Sequence, residues 1–133
     1  MKKLRGYIFA RPFMGERAPQ HVQNIILRDY CTKRGYDLVL SASEYAMPDS
    51  YMILESVLDD LTNIDGIVFY SLYQLPMQPE KRRSVYSRVI EADKSLHFAV
   101  EGMSISQTED IDAVEQCLLV KVTLDHCAPE VEI

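Results

Sequence analysis

The chain has 133 residues, of which 47% are hydrophobic and 26% charged, and its formal net charge is −6. This composition is typical of one globular domain that is long enough to bury a sizeable core. No apolar run approaches the roughly 18 residues that span a bilayer, and Arg11 ends the apolar run of the N-terminus too early for a signal peptide, so we expect a cytoplasmic protein without a membrane partner.

The first predicted elements are a strand over Leu4–Ala10 and a helix over Pro19–Arg34. Proline is favoured in the first turn of a helix, and Gly35 is a typical residue just beyond a helix end. The segment RPFMGERAPQHVQN, which follows the strand and includes the start of the helix, is unusually polar. The helix is expected to turn these apolar residues inward: Val22, Ile25, Ile26 and Tyr30.

The second strand is predicted over Tyr36–Ser41, and a helix capped by Asp49 or Ser50 follows it. A third, continuously apolar strand begins at Gly66, as expected for a central strand that is buried on both faces. The apolar positions of the second helix follow the helical period and are expected to face the core: Leu54, Val57, Leu58 and Leu61.

The segment PMQPEKRR introduces a third helix that is predicted to end near Asp93, and a fourth strand is predicted over Leu96–Val100. A last helix is predicted from about Asp110 to Leu124. The residues expected to face inward from these two helices are Val85, Val89 and Ile90, then Ile111, Val114 and Leu118.

Strands that alternate with helices indicate a doubly wound α/β fold, here a mainly parallel four-stranded sheet flanked by helices. The whole chain, 1–133, is interpreted as one domain, with its core at about 4–105 and a C-terminal helix and tail at about 106–133. Because the last helix would be only partly covered in so small a domain, we expect a homo-oligomer.

The charge is unevenly distributed, since residues 1–34 contain eight Lys/Arg and two Asp/Glu, whereas the remainder contains six and eighteen. Nucleic-acid binding requires a basic face, and an acidic chain with a pI near 5.0 is a poor candidate. We therefore expect no nucleic-acid partner. The basic cluster Lys81-Arg82-Arg83 is interpreted as a solvated helix face.

No cofactor, metal or nucleophile motif is present. The sequence lacks GxGxxG, GxxxxGK[ST] and GxSxG, so we expect no cofactor and no redox chemistry. The three histidines and three cysteines lack metal-ligand spacing, and an odd cysteine number without CxxC indicates buried free thiols. His97 is interpreted as a core or edge residue of the fourth strand.

Each predicted strand is followed by polar side chains, and ligands of open parallel sheets bind at the carboxyl ends of the strands. Three of these groups could transfer protons and are the catalytic candidates: Glu44, Glu101 and His21. The dipole of the first helix disfavours a proton on His21, so a neutral imidazole is expected there. Loops are polar in general, but glutamate, histidine and arginine serve no turn geometry.

The candidates for substrate binding share hydrogen-bonding side chains in these loops and in the first turns of the first helix: Arg11, Glu16, Arg17, Gln20, Gln23, Asn24, Tyr45, Ser71 and Gln74. Arg11 follows a buried strand directly and could bind a phosphate or carboxylate bidentately. The alternative for Arg11 is a salt bridge to Glu44 or Glu101.

Blocks from about Gly6 to Ile105, including GYIFAR, LRDYCTKRGYDLVLS, SEYAMPDSYMILESVLDDL, DGIVFYSLYQL and EGMSI, resemble the catalytic domain of serine recombinases (resolvases and invertases) in order and spacing. The resemblance implies a doubly wound fold. That family's nucleophilic serine would stand near Arg11, Pro12 or Phe13, and its arginines are missing near LYQLPMQ and near Tyr51 and Met52. The recombinase reaction is therefore not implied.

A second resemblance is closer. RGYIFARPFMGERAPQHVQN, SASEYAMP, DGIVFYSLYQLP and EGM, within about residues 5–103, are similar to recurrent blocks of the sporadic carbohydrate cluster family. That family consists of small proteins of bacterial surface-carbohydrate gene clusters. The resemblance implies a role in making modified sugars of lipopolysaccharide, capsule or glycosylation.

Two functions remain open. The first is a cofactor-independent isomerase, epimerase, lyase or hydrolase that acts by acid/base chemistry on a nucleotide sugar, sugar phosphate or sugar acid. The second is a non-catalytic sugar-binding or enzyme-assembly module on a degenerate recombinase fold. A DNA-acting protein is disfavoured by the charge and by the missing serine and arginines.

Overall fold

The computed structural model describes residues 2–12, 18–47 and 50–120. Its centre is a five-stranded sheet with the strand order β2-β1-β3-β4-β5. The first four strands pair in parallel, and β5 pairs antiparallel with β4. The strands are β1 Lys3–Phe9, β2 Asp37–Glu44, β3 Gly66–Phe69, β4 Ser95–Phe98 and β5 Met103–Ile105.

The helices are α1 Gln20–Arg34, α2 Met52–Asp59, α3 Pro79–Glu91 and α4, the helical residues 111–120. The α/β fold with four parallel strands is as predicted. The fifth strand was not predicted, because its three residues lie in a polar stretch. Gly102, with a φ of +65°, forms part of the turn that returns the chain antiparallel to β4.

The sheet separates two apolar layers. The larger layer contains Tyr7 and Phe69 and packs against α2, α3 and α4. The α4 residues Val114 and Leu118 are buried in this layer, as predicted. The smaller layer contains Leu4, Ile8 and Val68 and packs against α1. Two buried layers account for the unbroken apolar run of β3, whose four residues are all buried.

The buried face of α1 differs from the prediction. Its buried residues are Gln23, Leu27, Tyr30 and Cys31, whereas Ile25 is 56% exposed. The hydrophobic pattern misplaced the face by about one residue, because a buried glutamine occupies a position that the pattern assigned to solvent. The predicted stop is confirmed, since Gly35 adopts the left-handed conformation with a φ of +73°.

Strand β2 extends three residues beyond its predicted end and thereby places Glu44 inside the sheet. Its register with β1 shifts so that Leu40 and Ser41 lie opposite Gly6. A Cβ atom at position 6 would collide with the Ser41 side chain. Gly6 therefore allows a bulge in the middle of the edge strand.

The interpretation of Lys81-Arg82-Arg83 as a solvated face is wrong for Arg82. The Arg82 guanidinium is buried and donates Nε and Nη2 to Glu115, each at 2.7 Å, while Tyr86 donates its hydroxyl to Glu115 at 2.6 Å. The Arg82 side chain holds the pKa of Glu115 below its ordinary value. This ion pair joins α3 to α4.

His97 is a core residue of β4, as predicted. Its imidazole is hydrogen-bonded through Nδ1 to the Tyr30 hydroxyl and through Nε2 to the Ser95 hydroxyl, both at 2.8 Å. Burial lowers the pKa of His97 to about 4, and the charges of Lys2 and Arg34 act in the same direction. The ring is therefore neutral near pH 7.

The predicted buried free thiol is confirmed for Cys31, whereas Cys117 is free but not fully buried and Cys127 lies outside the described residues. Cys31 is buried, and burial raises the pKa of its thiol to about 11, so it is not a reactive nucleophile. Cys117 is partly exposed. Within the described segments, no helix has both the length and the apolar character that crossing a membrane requires.

Candidate functional site

The carboxyl ends of β1 to β4 meet the starts of α1 and α2 at one edge of the sheet. Most of the predicted site residues that the structure describes lie at this edge, as the parallel topology requires. They do not form one cavity. They divide into a buried group that bonds to the protein itself and a group around an open cleft beside Arg11.

Glu44 belongs to the buried group and is 1% exposed. Its Oε1 accepts hydrogen bonds from the Tyr7 hydroxyl at 2.8 Å and from Leu54 N at 3.1 Å. Its Oε2 accepts from Tyr45 N and Ile53 N at 3.1 Å and from the Ser50 hydroxyl at 3.2 Å. The carboxylate thus supplies an anion to the start of α2, where unpaired N–H groups and the helix dipole stabilise it.

Tyr7 shows how strongly this site is desolvated. Burial, and then the neighbouring Glu44 carboxylate, raise the pKa of the Tyr7 hydroxyl well above its ordinary value. Tyr7 therefore remains a neutral donor to Glu44 under all ordinary conditions. With five donors around its two oxygens, Glu44 has its hydrogen-bonding capacity committed to the fold.

Gln23 and Gln74 form a buried amide bridge between α1 and the turn after β3, and both are 0% exposed. Gln23 Nε2 donates to Phe9 O at 2.9 Å and to Ala18 O at 2.8 Å, while its Oε1 accepts from Phe9 N at 3.0 Å. Gln74 Nε2 donates to Gln23 Oε1 at 2.9 Å. The bridge fixes the end of β1 immediately before Arg11.

Glu101 caps the 3₁₀ turn Leu72–Gln74 that follows β3. Its Oε2 accepts from the Ser71 hydroxyl at 2.8 Å, and its Oε1 accepts from Leu72 N at 3.0 Å. The Ser71 oxygen accepts from Tyr73 N in turn. Unlike Glu44, the Glu101 side chain is only partly buried and remains in contact with solvent.

Arg11 follows β1 and is held over aromatic rings. Its guanidinium carbon lies 4.2 Å from the centroid of Phe9 and 5.1 Å from that of Tyr51. Nη1 donates to Tyr45 O at 3.0 Å. The alternative prediction, a salt bridge to Glu44 or Glu101, is not observed among residues 2–12, 18–47 and 50–120. Two rings and one carbonyl orient this partly exposed cation.

A cleft of about 270 Å³ lies beside Arg11, between the end of β1 and the start of α1. Its lining residues are Phe9, Ala10, Arg11, Pro12, Ala18, Pro19 and Gln20. Within the described residues, the N-cap Pro19 makes no side-chain cap to α1, and the first turn of the helix contains no acidic residue. Among the described residues, Arg11 and the positive end of the α1 dipole therefore favour negative charge in the cleft.

The remaining candidates are dispersed. Gln20 hydrogen-bonds to the Ser43 hydroxyl at the rim of the cleft. His21 is exposed and is not among the cleft residues, and Asn24 lines a different groove between α1 and β2. Glu16 and Arg17 lie outside the described residues. In the part of the chain that the structure describes, no three His, Cys, Asp or Glu side chains form a group able to hold a metal ion.

Sequence reasoning missed the aromatic support of Arg11 and the donor Tyr7. Phe9 lies two residues before Arg11 in the apolar run of β1, and Tyr7, two residues before Phe9, lies on the same face of the strand. The period-2 pattern of a strand could have placed both rings beside the edge. Tyr51 comes from a different element, and no signal in the sequence connects it to Arg11.

No protein-family model matches the chain, and no curated protein sequence matches it either. Solved structures do. The N-terminal catalytic domain of TP901-1 integrase is 14% identical, with a TM-score of 0.59 over 97% of this chain and 99% of that chain. A resolvase family site-specific recombinase from Streptococcus pneumoniae is 10% identical, with a TM-score of 0.64 over 98% of this chain and 99% of that chain.

At such identities the likeness shows the fold alone. The chain has a resolvase-like α/β fold, which confirms the first resemblance at the level of architecture. The comparisons give no support to the resemblance to the carbohydrate cluster family, which stays a prediction.

Proposed function

We propose that this protein binds a small anionic sugar, such as a nucleotide sugar, sugar phosphate or sugar acid, in the cleft beside Arg11. We further propose that it does so as a non-catalytic sugar-binding or enzyme-assembly module of bacterial surface-carbohydrate biosynthesis. The carbohydrate setting rests on the similarity of four sequence blocks, above all RGYIFARPFMGERAPQHVQN and SASEYAMP, to the sporadic carbohydrate cluster family.

One contrast supports binding over acid/base catalysis. The carboxylate of Glu44 is buried under five donors, whereas the Arg11 guanidinium, held on two rings, borders an open cleft of about 270 Å³. A general acid or base must reach the proton that it transfers. Glu44 is enclosed by its donors, and His21 is not among the residues that line the cleft.

The cleft suits the anionic end of a sugar derivative better than a large apolar ligand. The planar Arg11 guanidinium provides paired donors for a phosphate or carboxylate, and the positive end of the adjacent helix dipole favours an anion. The side-chain amide of Gln20 at the rim is a suitable partner for a sugar hydroxyl.

A second candidate function, an acid/base enzyme, is favoured by Glu101. Its partly exposed carboxylate holds the Ser71 hydroxyl at 2.8 Å, on the same edge of the sheet as the cleft. Of the predicted catalytic carboxylates, Glu101 is the one with solvent access. In that case the sugar would extend from Arg11 across the ends of β1 and β3.

The test is calorimetric titration of the purified protein with inorganic phosphate, a hexose phosphate, a uronic acid, a nucleotide sugar and a neutral hexose. We expect saturable binding of one or more anionic sugars, lost in Arg11→Ala and retained in the control Arg83→Ala, which removes an exposed arginine of α3. Equal loss in both variants, or equal binding of the neutral hexose, would contradict the proposed site.

Turnover of each bound sugar is followed by mass spectrometry of the same mixtures. Binding without a change in ligand mass or isomer composition supports the module. Turnover that Glu101→Gln abolishes while binding persists would establish the enzyme instead. Isomers are separated by chromatography before detection, since an epimerase leaves the mass unchanged.

A further inference from the structure

Arg5 is a charged residue within the sheet. It lies on β1, opposite Val39 of β2 and Ile67 of β3. Because side chains alternate along a strand, Arg5 shares the face of Tyr7 and lies on the side of the larger apolar layer. Its Nε is buried and has no hydrogen-bond partner among the described residues. A buried donor without an acceptor lowers stability, so packing gives no reason for an arginine at this position.

A cavity of about 330 Å³ adjoins Arg5 at the end of α2, and its lining residues are Arg5, Ser56, Val57, Asp59, Asp60 and Ile64. Glu44 caps the start of α2, so this cavity lies at the other end of the helix and is separate from the cleft beside Arg11. Its volume is at the lower end of the range of about 300–1,000 Å³ that is typical of small-molecule sites. Arg5 is only partly buried, so a ligand in the cavity can reach its side chain.

The cavity contains opposite charges that do not pair with each other. Asp59 accepts from Arg88 Nη2 at 2.6 Å and therefore has its counter-charge on α3. Asp60 instead accepts from the neutral side chain of Asn63. Among the described residues, neither Arg5 nor Asp60 takes part in an ion pair, although both line the cavity. The cavity is therefore complementary to a small ligand that carries one negative and one positive charge.

We propose that this cavity binds a small α-amino acid. The carboxylate of the ligand accepts from the Arg5 guanidinium, and its ammonium group donates to the Asp60 carboxylate. Asp60 is also the C-cap of α2, and the negative end of the helix dipole favours a cation there. Val57 and Ile64 are buried and provide apolar contacts for the ligand's own side chain. This inference is independent of the proposed sugar site.

The charges of the cavity disfavour the simpler classes of ligand. An ion with negative charge alone would pair with Arg5 but would be repelled by Asp60 and by the end of α2. A simple amine would pair with Asp60 but would leave the Arg5 guanidinium without an acceptor. A zwitterion satisfies both groups, which is why an amino acid is the ligand proposed.

The first test is calorimetric titration of the complete chain with each of the protein amino acids in turn. We expect saturable binding of at least one of them. Two derivatives of that amino acid test its charges separately: the N-acetyl derivative lacks the ammonium group, and the amide lacks the carboxylate. Each should bind weaker by on the order of tenfold or more. Acetate and inorganic phosphate serve as controls for a site that accepts any anion.

The second test compares Arg5→Met with Arg83→Met. Arg5→Met keeps a long unbranched side chain and should abolish binding, while the thermal midpoint without ligand stays at or above that of the wild type because a buried unpaired donor has been removed. Arg83→Met makes the same change at an exposed arginine of α3 and should bind as the wild type does. Asp60→Asn should weaken binding of the amino acid by on the order of tenfold and leave the affinity for its N-acetyl derivative unchanged.

Four results would overturn the proposal. They are the absence of binding by any amino acid, equally tight binding of acetate or phosphate, undiminished binding in Arg5→Met, and a thermal midpoint of Arg5→Met well below that of the wild type. The last result would assign Arg5 to the stability of the fold. None of these results concerns Arg11, so the proposed sugar site is tested separately.

Discussion

The start of α2 and the start of α1 lie at the same edge of the sheet, but the chain surrounds them differently. At α2 the chain supplies its own anion, because Glu44 accepts from Ile53 N and Leu54 N inside the protein. At α1 the N-cap is Pro19, which makes no side-chain cap, and among the residues that the structure describes the ionic group lining the cleft is the cation Arg11.

Both arrangements follow from the electrostatics of a helix start, which stabilises negative charge. Where the negative charge comes from the protein, the helix start contributes to folding. Where the described residues instead provide a cation and an open cleft, the helix start remains available for the anionic ligand that we propose. The comparison thus distinguishes polar residues that stabilise the fold from those available for binding.

The largest effect is expected for Glu44→Ala. The change leaves Leu54 N and the Tyr7 hydroxyl buried without their acceptor, so the free energy of unfolding should fall by about 3 kcal/mol. The control is Glu55→Ala, an exposed acid in the first turn of the same helix, for which a loss of about 0.5 kcal/mol or less is expected. Urea denaturation measures both. Equal stability of the two variants would show that Glu44 is not a structural cap.

His97 is a buried polar residue away from this edge, and its contribution to stability can be measured through the pH dependence of unfolding. His97 is held neutral with a pKa of about 4, against an ordinary value of 6.5. Between these two pH values the unfolded chain binds the proton more readily than the folded chain does. The contribution of the neutral His97 to stability is therefore fully present above pH 6.5, and the free energy of unfolding falls by up to about 3 kcal/mol as the pH decreases towards 4. Denaturant midpoints measured from pH 7.5 to 4 should depend less steeply on pH in His97→Gln than in the wild type.

The control for that slope is His21→Gln, because His21 is exposed on α1. It should reproduce the wild-type pH profile. If both substitutions leave the profile unchanged, the acid sensitivity originates in carboxylates such as Glu115, whose stabilising contribution is lost only as the pH falls through its lowered pKa.

A smaller loss is expected for Gln74→Leu. The substitution removes an acceptor of Tyr70 N, at 3.1 Å, and one of the two donors to Gln23 Oε1, and should lower the free energy of unfolding by about 2 kcal/mol. Gln78→Leu, at an exposed glutamine that makes no side-chain cap, is the matched control. Thermal unfolding of both variants checks the difference, and a stability equal to wild type in Gln74→Leu would contradict the role of the amide bridge.

Most element positions followed from periodicity, because apolar β3 and the i, i+3, i+4, i+7 pattern of α2 are strong local signals. The face of α1 was misplaced since Gln23 is buried, and a glutamine has no reason to be buried except the backbone groups of Phe9 that it meets in the fold. Strand β5 is short and is held by its pairing with β4, a non-local contact.

The position of these polar residues in the fold was predictable, but their contacts were not. The parallel topology correctly brought Arg11, Glu44 and Glu101 to one edge. Whether a carboxylate there faces a ligand or a helix start depends on contacts between residues that are far apart in the sequence. Glu44 accepts from Tyr7, 37 positions away, and Glu101 accepts from Ser71, 30 positions away. Composition and motif spacing do not reveal contacts between residues that are so far apart in the sequence.

The smallest change in stability, and the sharpest test of the comparison, is expected for Gln20→Glu. This substitution gives the first turn of α1 an acidic residue at the cleft, as the chain already does at α2, and should raise the free energy of unfolding by about 0.5 kcal/mol. The new carboxylate lies near Arg11 and would compete for it, so affinity for an anionic sugar should fall by on the order of tenfold. Gln78→Glu adds the same charge at the start of α3 and should leave that affinity unchanged. If Gln20→Glu stabilises the helix but binds as tightly as wild type, the anion is held away from the start of α1, and the contrast between the two helix starts concerns folding alone.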